Sequence, residues 1–395
     1  MRRNTPILLL AVGHACVDVY QGAVAALIPY FVAERDYTYA AASGIVLAAS
    51  LLSSVAQPVF GVLTDRWAMP WLLPASTLLS GVGIALSGLT GSYGLTLVFV
   101  AISGIGVAAY HPESARVARL AGRGSHTAMS WFSLGGNIGF ALAPITVSLA
   151  VGQGSLRWTP VLVLPALAGV ALCVPVLRLL NGHGTATSGR TSPTQAPDDV
   201  RAFLKLSLAV IFRSIVFTGL STFISLYAQQ RLHGSTTAGT LALFLLFLGG
   251  AVGSVLGGSL ADRYDRVRVS RWSYLLSAVA VAGVIHTPGP TMFLFVALTS
   301  IGLYVPFSLQ VTLAQDYLPS RIGTAGGVTL GLTVSVGGLV SPLLGRLADS
   351  TSLQTALTPL IAMPVLSWLL FLALPEPVNT HKPGPTTQEA SLDPR

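Results

Sequence analysis

Gly61-Val62-Leu63-Thr64-Asp65-Arg66 recurs in this chain as Gly258-Ser259-Leu260-Ala261-Asp262-Arg263, about 197 residues later and so close to half of its 395 residues. A fixed offset between two sparse polar motifs in an apolar sequence means two structural halves with the same order of elements. Later landmarks keep roughly the same offset: Pro112-Glu113-Ser114 lies opposite Pro306-Phe307-Ser308, and Ala143-Pro144 opposite Ser341-Pro342. Whatever the halves build lies between them.

The rest of the composition says what solvent they sit in. Hydrophobic residues make up 52% of the chain and charged residues 9%, against about 25% charged in soluble proteins, and the mean hydropathy is +0.70. Runs of the length that crosses a hydrocarbon core of about 30 Å can be drawn at 6–32, 40–63, 70–90, 94–117, 127–151 and 156–180, and again at 203–230, 237–260, 269–288, 290–315, 321–348 and 352–374. The expectation is an all-α membrane protein of twelve transmembrane helices in two pseudo-symmetric six-helix bundles. Residues 1–180 form the first bundle and 203–374 the second. Between them, 181–202, rich in Gly, Pro and Asp, reads as a cytoplasmic linker, and 375–395, with Pro377, Pro383, Pro385 and Pro394, as a disordered cytoplasmic tail.

Basic residues favour the cytoplasmic side of short loops. With the N-terminus inside, seventeen of the 22 Lys and Arg fall on that side, four (Arg35, Arg157, Arg231, Arg346) on the other, and Arg213 within a span. Both termini are then cytoplasmic and the protein is a multi-pass component of the cell's inner, plasma membrane. The same distribution explains the net charge of +8 without nucleic acid, because the basic residues are scattered over many loops with no run of five or six. The first apolar segment is too long and too polar, with His14, Asp18 and Gln21, to be a cleaved signal. Cys16 and Cys173 lie inside spans and give no disulfide or metal framework. The two lysines, Lys205 and Lys382, stand in no P-loop, and no HExxH or GxSxG occurs, so the common hydrolytic motifs are absent and no enzyme or cofactor is indicated.

Polar residues inside the spans carry the functional signal, since a charge at the bilayer centre costs roughly 2.5–3.5 kcal/mol on insertion scales. His14, Asp18 and Gln21 follow i, i+4, i+7 and stack on one face of the first helix. They read either as a polar knot against a neighbouring helix or as a cavity lining with a titratable carboxylate. In the fourth helix, Tyr110-His111-Pro112-Glu113-Ser114-Ala115-Arg116 contains a proline that frees carbonyls and so belongs in the protein interior. Glu113 and Arg116 are spaced to pair, and His111 reads equally well as a structural histidine. Arg213, which cannot shed its charge, needs a carboxylate such as Asp18 or Glu113, carbonyls, water or an anionic ligand. Asn137, in Gly135-Gly136-Asn137-Ile138-Gly139, lies where small residues let helices approach closely. Asp18 and Glu113 are the two candidates for a proton-coupling site.

The two Gly-x-Leu-x-Asp-Arg loops, each between the second and third helix of its half, resemble the signature of the major facilitator superfamily. Within it, Gly13-His14 with Asp18-Val19-Tyr20-Gln21-Gly22, then His111-Pro112-Glu113-Ser114 with Arg116 to Arg119, Gly135-Gly136-Asn137-Ile138-Gly139 ahead of Pro144, and Phe212-Arg213-Ser214 are similar to the fosmidomycin-resistance type of exporter. The resemblance implies a central cavity between two bundles and alternating access, with proton entry driving export of a small, drug-like compound, anions included. His14, Gln21, Tyr110, His111, Arg116, Asn137 and Arg213 form the candidate substrate set. Gly61, Asp65, Arg66, Gly258, Asp262, Arg263 and Arg266 form the candidate conformational latch. The first loop departs from the pattern by ending Trp67-Ala68-Met69-Pro70, without the basic residues that the second keeps at Arg266 and Arg268. The partners expected are a small solute, protons and lipid, and the working unit a monomer. A proton-coupled uptake symporter of the same fold is the rival reading.

Overall fold

A computed structural model describes residues 5–122, 125–152, 155–180 and 197–377. Among them the chain is helical throughout. In the first half, α1 (Thr5–Arg35), α2 (Tyr39–Arg66), α3 (Leu72–Ser87), α4 (Tyr93–Ala121) and α5 (His126–Val151) are followed by a 3-10 segment, Leu156–Val163, that leads into α6 (Leu164–Leu180). The second half runs α7 (Val200–Arg231), α8 (Thr236–Ala261), α9 (Arg266–His286), α10 (Met292–Tyr317) and α11 (Ile322–Ser350). It ends in α12 (Leu353–Leu357), a 3-10 turn at Thr358–Ile361, and α13 (Ala362–Leu372). Ten stretches of helix among the described residues are long and apolar enough to cross a membrane.

Side-chain caps fix where several helices begin. Thr38, Ser125, Asp199, Ser235 and Ser352 each accept a hydrogen bond from the amide three residues on, an arrangement worth about 1 kcal/mol per helix. Departures from the drawn spans have local causes. Pro160 lies in the 3-10 entry to α6, and the last span is broken where Pro359 and Pro364 remove two amide donors. The third helix is shorter than its apolar run because Pro70 precedes it and Gly88 ends it. The linker residues 181–196 and tail residues 378–395 lie outside the described residues. Of the rest of the tail, Glu376 is held at the start of α9, its carboxylate accepting from Val267 N (2.7 Å) and Arg266 Nε (3.0 Å).

Both halves pack by one plan: α1 lies on α5 as α7 lies on α11, and α2 on α4 as α8 on α10. The α1–α5 contact is backbone to backbone, since a β-carbon at Gly135 or Gly139 would overlap the carbonyls of Ala11 and Ala15. That closeness brings the middle of α5 against the polar face of α1. Between the halves, α2 meets α11, α5 meets α8 and α1 meets α7. At the end remote from the duplicated loops the halves are bonded together. The Asp349 carboxylate on α11 accepts from the first amides of α2, Tyr39 N (2.8 Å) and Ala40 N (3.0 Å), and Gln230 Nε2 on α7 donates to the Tyr39 hydroxyl at 2.7 Å. Midway, Phe140 on α5 stacks on Phe247 on α8 with centroids 4.1 Å apart, and Phe217 on α7 lies beside both. Towards the duplicated loops, by contrast, a β-carbon at Gly61 or Gly258 would meet nothing within 4 Å.

Candidate functional site

Asp18 stands thirteen residues into α1 (5 to 18), near its middle, and is buried. His14, one turn earlier on the same face, puts Nε2 3.3 Å from Asp18 Oδ2. His111, from α4, puts Nε2 3.2 Å from Asp18 Oδ1. The two rings close on each other edge to face, centroids 5.4 Å apart, and Phe132 on α5 stacks on His14 at 4.2 Å. Each histidine is held from behind by the backbone: His14 Nδ1 is 2.9 Å from Phe132 O and His111 Nδ1 2.7 Å from Val107 O. Room for the cluster comes from Gly136, where a β-carbon would fall 2.5 Å from Asp18 Oδ2 and 2.6–2.7 Å from the His14 ring. His14, Asp18 and His111 thus form one buried triad, their ligand-type atoms all within 4.8 Å of one another. Two imidazoles and a carboxylate are also a donor set that could hold a divalent ion.

Two residues further along α4, Glu113 is fully buried and Arg116 grips it with two parallel hydrogen bonds, Nε to Oε2 at 2.9 Å and a terminal guanidinium nitrogen to Oε1. Bidentate charge-assisted pairs of this kind are among the strongest side-chain contacts. Tyr110 is buried, its ring 5.9 Å from that of His14. Gln21 is exposed and borders a cleft between α1, α2 and α4 with Val24, Ser53, Ser103 and Val107, while Asn137 is half-buried on α5. Of the first-half candidates, the structure brings together His14, Asp18 and His111, pairs Glu113 with Arg116, and leaves Gln21 and Asn137 outside both groups.

Arg213 stands at the matching depth of the other half, thirteen residues into α7 (200 to 213), and is buried. Its guanidinium lies over two aromatic rings of α10, 5.0 Å from the Phe307 centroid and 5.7 Å from that of Tyr304. The carboxylates that sequence offered as its partners are engaged elsewhere, Asp18 by the histidines and Glu113 by Arg116. Tyr304 in turn meets Phe217 edge-on at 5.0 Å, which ties the Arg213 site to the aromatic contact between the halves.

The latch residues are dispersed in this conformation. Asp262 caps the end of α8 and is exposed, as is Arg263. Arg266 pairs with Asp316 at 2.7 Å and with Glu376 at 3.0 Å, both within the second half. The side chain of Asp65 lies outside the described residues. Sequence reasoning passed over Asp349, Tyr39 and Gln230, which join the halves at the far end. Nothing in their spacing marks them, since each meets a partner about 190 to 310 residues away.

A helical bundle in two like halves, with a buried carboxylate–imidazole cluster in one half and a buried arginine in the other, defines a class: a multi-pass membrane transporter of small molecules. Residues 10–342 match the family model of the Major Facilitator Superfamily, and the chain belongs to that family. It is 30% identical to the fosmidomycin resistance protein of Escherichia coli over 94% of this chain and 93% of that one. It is equally 30% identical to the uncharacterized MFS-type transporter YfnC of Bacillus subtilis, over 93% and 92%. The Escherichia coli enterobactin exporter EntS is 32% identical over 42% of each chain. Among solved structures, a bacterial homolog of the human lysosomal transporter Spinster superposes with a TM-score of 0.73 at 15% identity, over 94% of this chain and 96% of that one. The nucleoside transporter NupG gives 0.73 at 14%, over 95% and 99%.

Proposed function

We propose that this protein is a proton-coupled antiporter that exports a small, drug-like compound, anions included, through twelve spans of the plasma membrane with both termini in the cytoplasm. The observation that carries the reading is the division of labour between the halves. A buried carboxylate, Asp18, sits between two titratable rings at mid-depth in one half, and a buried cation, Arg213, sits at the same depth in the other. On this reading an anionic group drawn to Arg213 and protons drawn to the Asp18 cluster act on one transport cycle. Whatever each does to the other's affinity is returned in equal measure. Glu113, locked to Arg116, is the second candidate for the proton. Export is favoured over uptake by the names of two relatives, a resistance protein and an exporter. Closure at the far end, together with open space around Gly61 and Gly258, supports reading this conformation as inward-open.

Gradient-driven flux in proteoliposomes tests the proposal. Labelled fosmidomycin, a second phosphonate and a hydrophobic cation would be offered with a pH difference imposed in either direction. Accumulation of one of them on the acidic side, collapsed by a protonophore, is expected. Accumulation on the alkaline side, moving with the proton, would make the protein a symporter. Flux of any of them indifferent to the gradient would end the proton-coupled reading.

A further inference from the structure

The hydrogen-bond pattern of the His14–Asp18–His111 cluster fixes how many protons it needs. A backbone carbonyl only accepts. Nδ1 of His14, facing Phe132 O, and Nδ1 of His111, facing Val107 O, therefore each carry a hydrogen. A neutral imidazole has one N–H, so with Nδ1 protonated both Nε2 atoms turn bare lone pairs toward Asp18, one at each carboxylate oxygen. Lone pair against lone pair at 3.2–3.3 Å is repulsive, and a proton between the atoms makes it a charge-assisted hydrogen bond. One proton, whether on Asp18 or on a ring, satisfies one of the two contacts. Satisfying both takes two.

The surroundings offer no substitute. On the α5 side the cluster is walled by Phe132 and by the Gly136 backbone, and among the described side chains of α5 none is ionisable. The other titratable groups nearby are Cys16 on α1, Tyr110 and Glu113 on α4 and Cys173 on α6. Phenols and thiols are ordinarily neutral near pH 7, and Glu113 is taken up by Arg116. We infer that this cluster, read as the coupling site, takes up two protons, borne on Nε2 of His14 and Nε2 of His111, while Asp18 remains an anion between them. Loading converts two neutral imidazoles and a carboxylate, net charge −1, into two imidazoliums and a carboxylate, net charge +1. Two N–H bonds form and two protons leave water; unloading reverses both. The carboxylate is the fixed element and the rings are the carriers.

The inference rests on the proposed coupling site, but its test needs no substrate and so fails or holds apart from the flux assay. The full chain, purified in detergent and labelled with 15N in histidine, would be titrated by NMR, with His14→Gln and His111→Gln assigning the two rings among the seven histidines. Infrared spectra of wild type and Asp18→Asn would be recorded alongside. Both rings are expected to pass to the imidazolium form on acidification, with no carboxylic-acid band that the Asp18→Asn exchange removes. Proton uptake should fall by one per molecule in either glutamine variant. Should one variant fail to fold, the wild-type ring signals and the other variant still count the protons. An Asp18-dependent carboxylic-acid band with neutral rings would overturn the inference, as would protonation of only one ring. So would about one zinc per chain retained through purification in wild type and lost in His111→Gln, because the cluster would then be a metal site.

Discussion

At the residue scale, Asp18 and Glu113 are both buried carboxylates, and their environments set them apart. Glu113 faces a cation that cannot discharge, so Glu113→Gln leaves the Arg116 guanidinium without its partner. Breaking a fully buried pair costs about 3–5 kcal/mol; Arg116 keeps 28% of its side chain exposed, which lowers the expected loss to about 1–3 kcal/mol once solvent screening is counted. A lower melting temperature in detergent is the measurement. Asp18→Asn removes an anion from between two rings that can lose their protons, so the melting temperature is expected to stay near wild type. Gradient-driven accumulation and its pH dependence should disappear while substrate exchange persists. If both variants kept gradient-driven transport with the wild-type pH profile, neither group would belong to the coupling machinery. Gly136→Ala probes the same cluster from α5: a methyl within 2.5–2.7 Å of Asp18 and His14 forces both aside, an overpacking of about 1–3 kcal/mol. The expected result is a folded protein whose His14 and His111 signals no longer titrate together; unchanged titration would mean that Gly136 does not shape the site. The i, i+4 spacing of His14 and Asp18 made half of this cluster legible in the sequence. His111 was legible only as one more intramembrane histidine, because its meeting with Asp18 depends on how α4 packs on α1. No spacing records that.

At the scale of elements, the far-end closure is a helix N-terminus held by a carboxylate from the other half. The first amides of α2 point at the Asp349 side chain on α11, where unsatisfied N–H groups and the helix dipole favour negative charge, an interaction worth about 0.5–2 kcal/mol. Asp349→Ala removes it from this conformation only. The balance should shift toward the opposite-facing state by roughly 2- to 30-fold, each 1.4 kcal/mol being a factor of ten. With Cys16 and Cys173 replaced and Gly258→Cys introduced, labelling by a soluble maleimide is expected to slow in the Asp349→Ala background. Labelling at an unchanged rate would show that this contact does not hold the far end. Asp262→Asn makes the complementary case. Asp262 is exposed here, so any latching by it belongs to the state in which the loop end closes, and its loss should speed labelling at Gly258→Cys. The elements themselves were largely legible: proline positions, caps and apolar runs located them. The breaks before α6 and between α12 and α13 were hidden in runs whose hydropathy is continuous.

At the scale of the whole molecule, the duplicated plan makes two like halves, and in the proposed alternating-access cycle α2 against α11 is one of the seams along which they would part. Halves related by an offset of about 197 residues were readable from the loops alone. Which end they close at was not, because in the proposed alternating-access cycle the same contacts are made in one state and broken in the other. The seam is testable at a point of close approach. A β-carbon at Gly338 on α11 would lie 3.1 Å from the Ser50 β-carbon on α2. Bridged cysteines prefer a Cβ separation of about 3.5–4.5 Å, which a small local adjustment supplies. Ser50→Cys with Gly338→Cys, with Cys16 and Cys173 replaced, is therefore expected to form a disulfide under mild oxidant and tie the halves together at this level. If transport requires α2 and α11 to separate here, the oxidised protein should bind substrate from the loop side yet carry none across. Reduction should restore flux to the level of the reduced control, and either single cysteine should be indifferent to oxidant. Quantitative cross-linking with undiminished flux would mean that the halves do not part along this seam, and a rocking cycle built on the observed far-end closure would have to be abandoned.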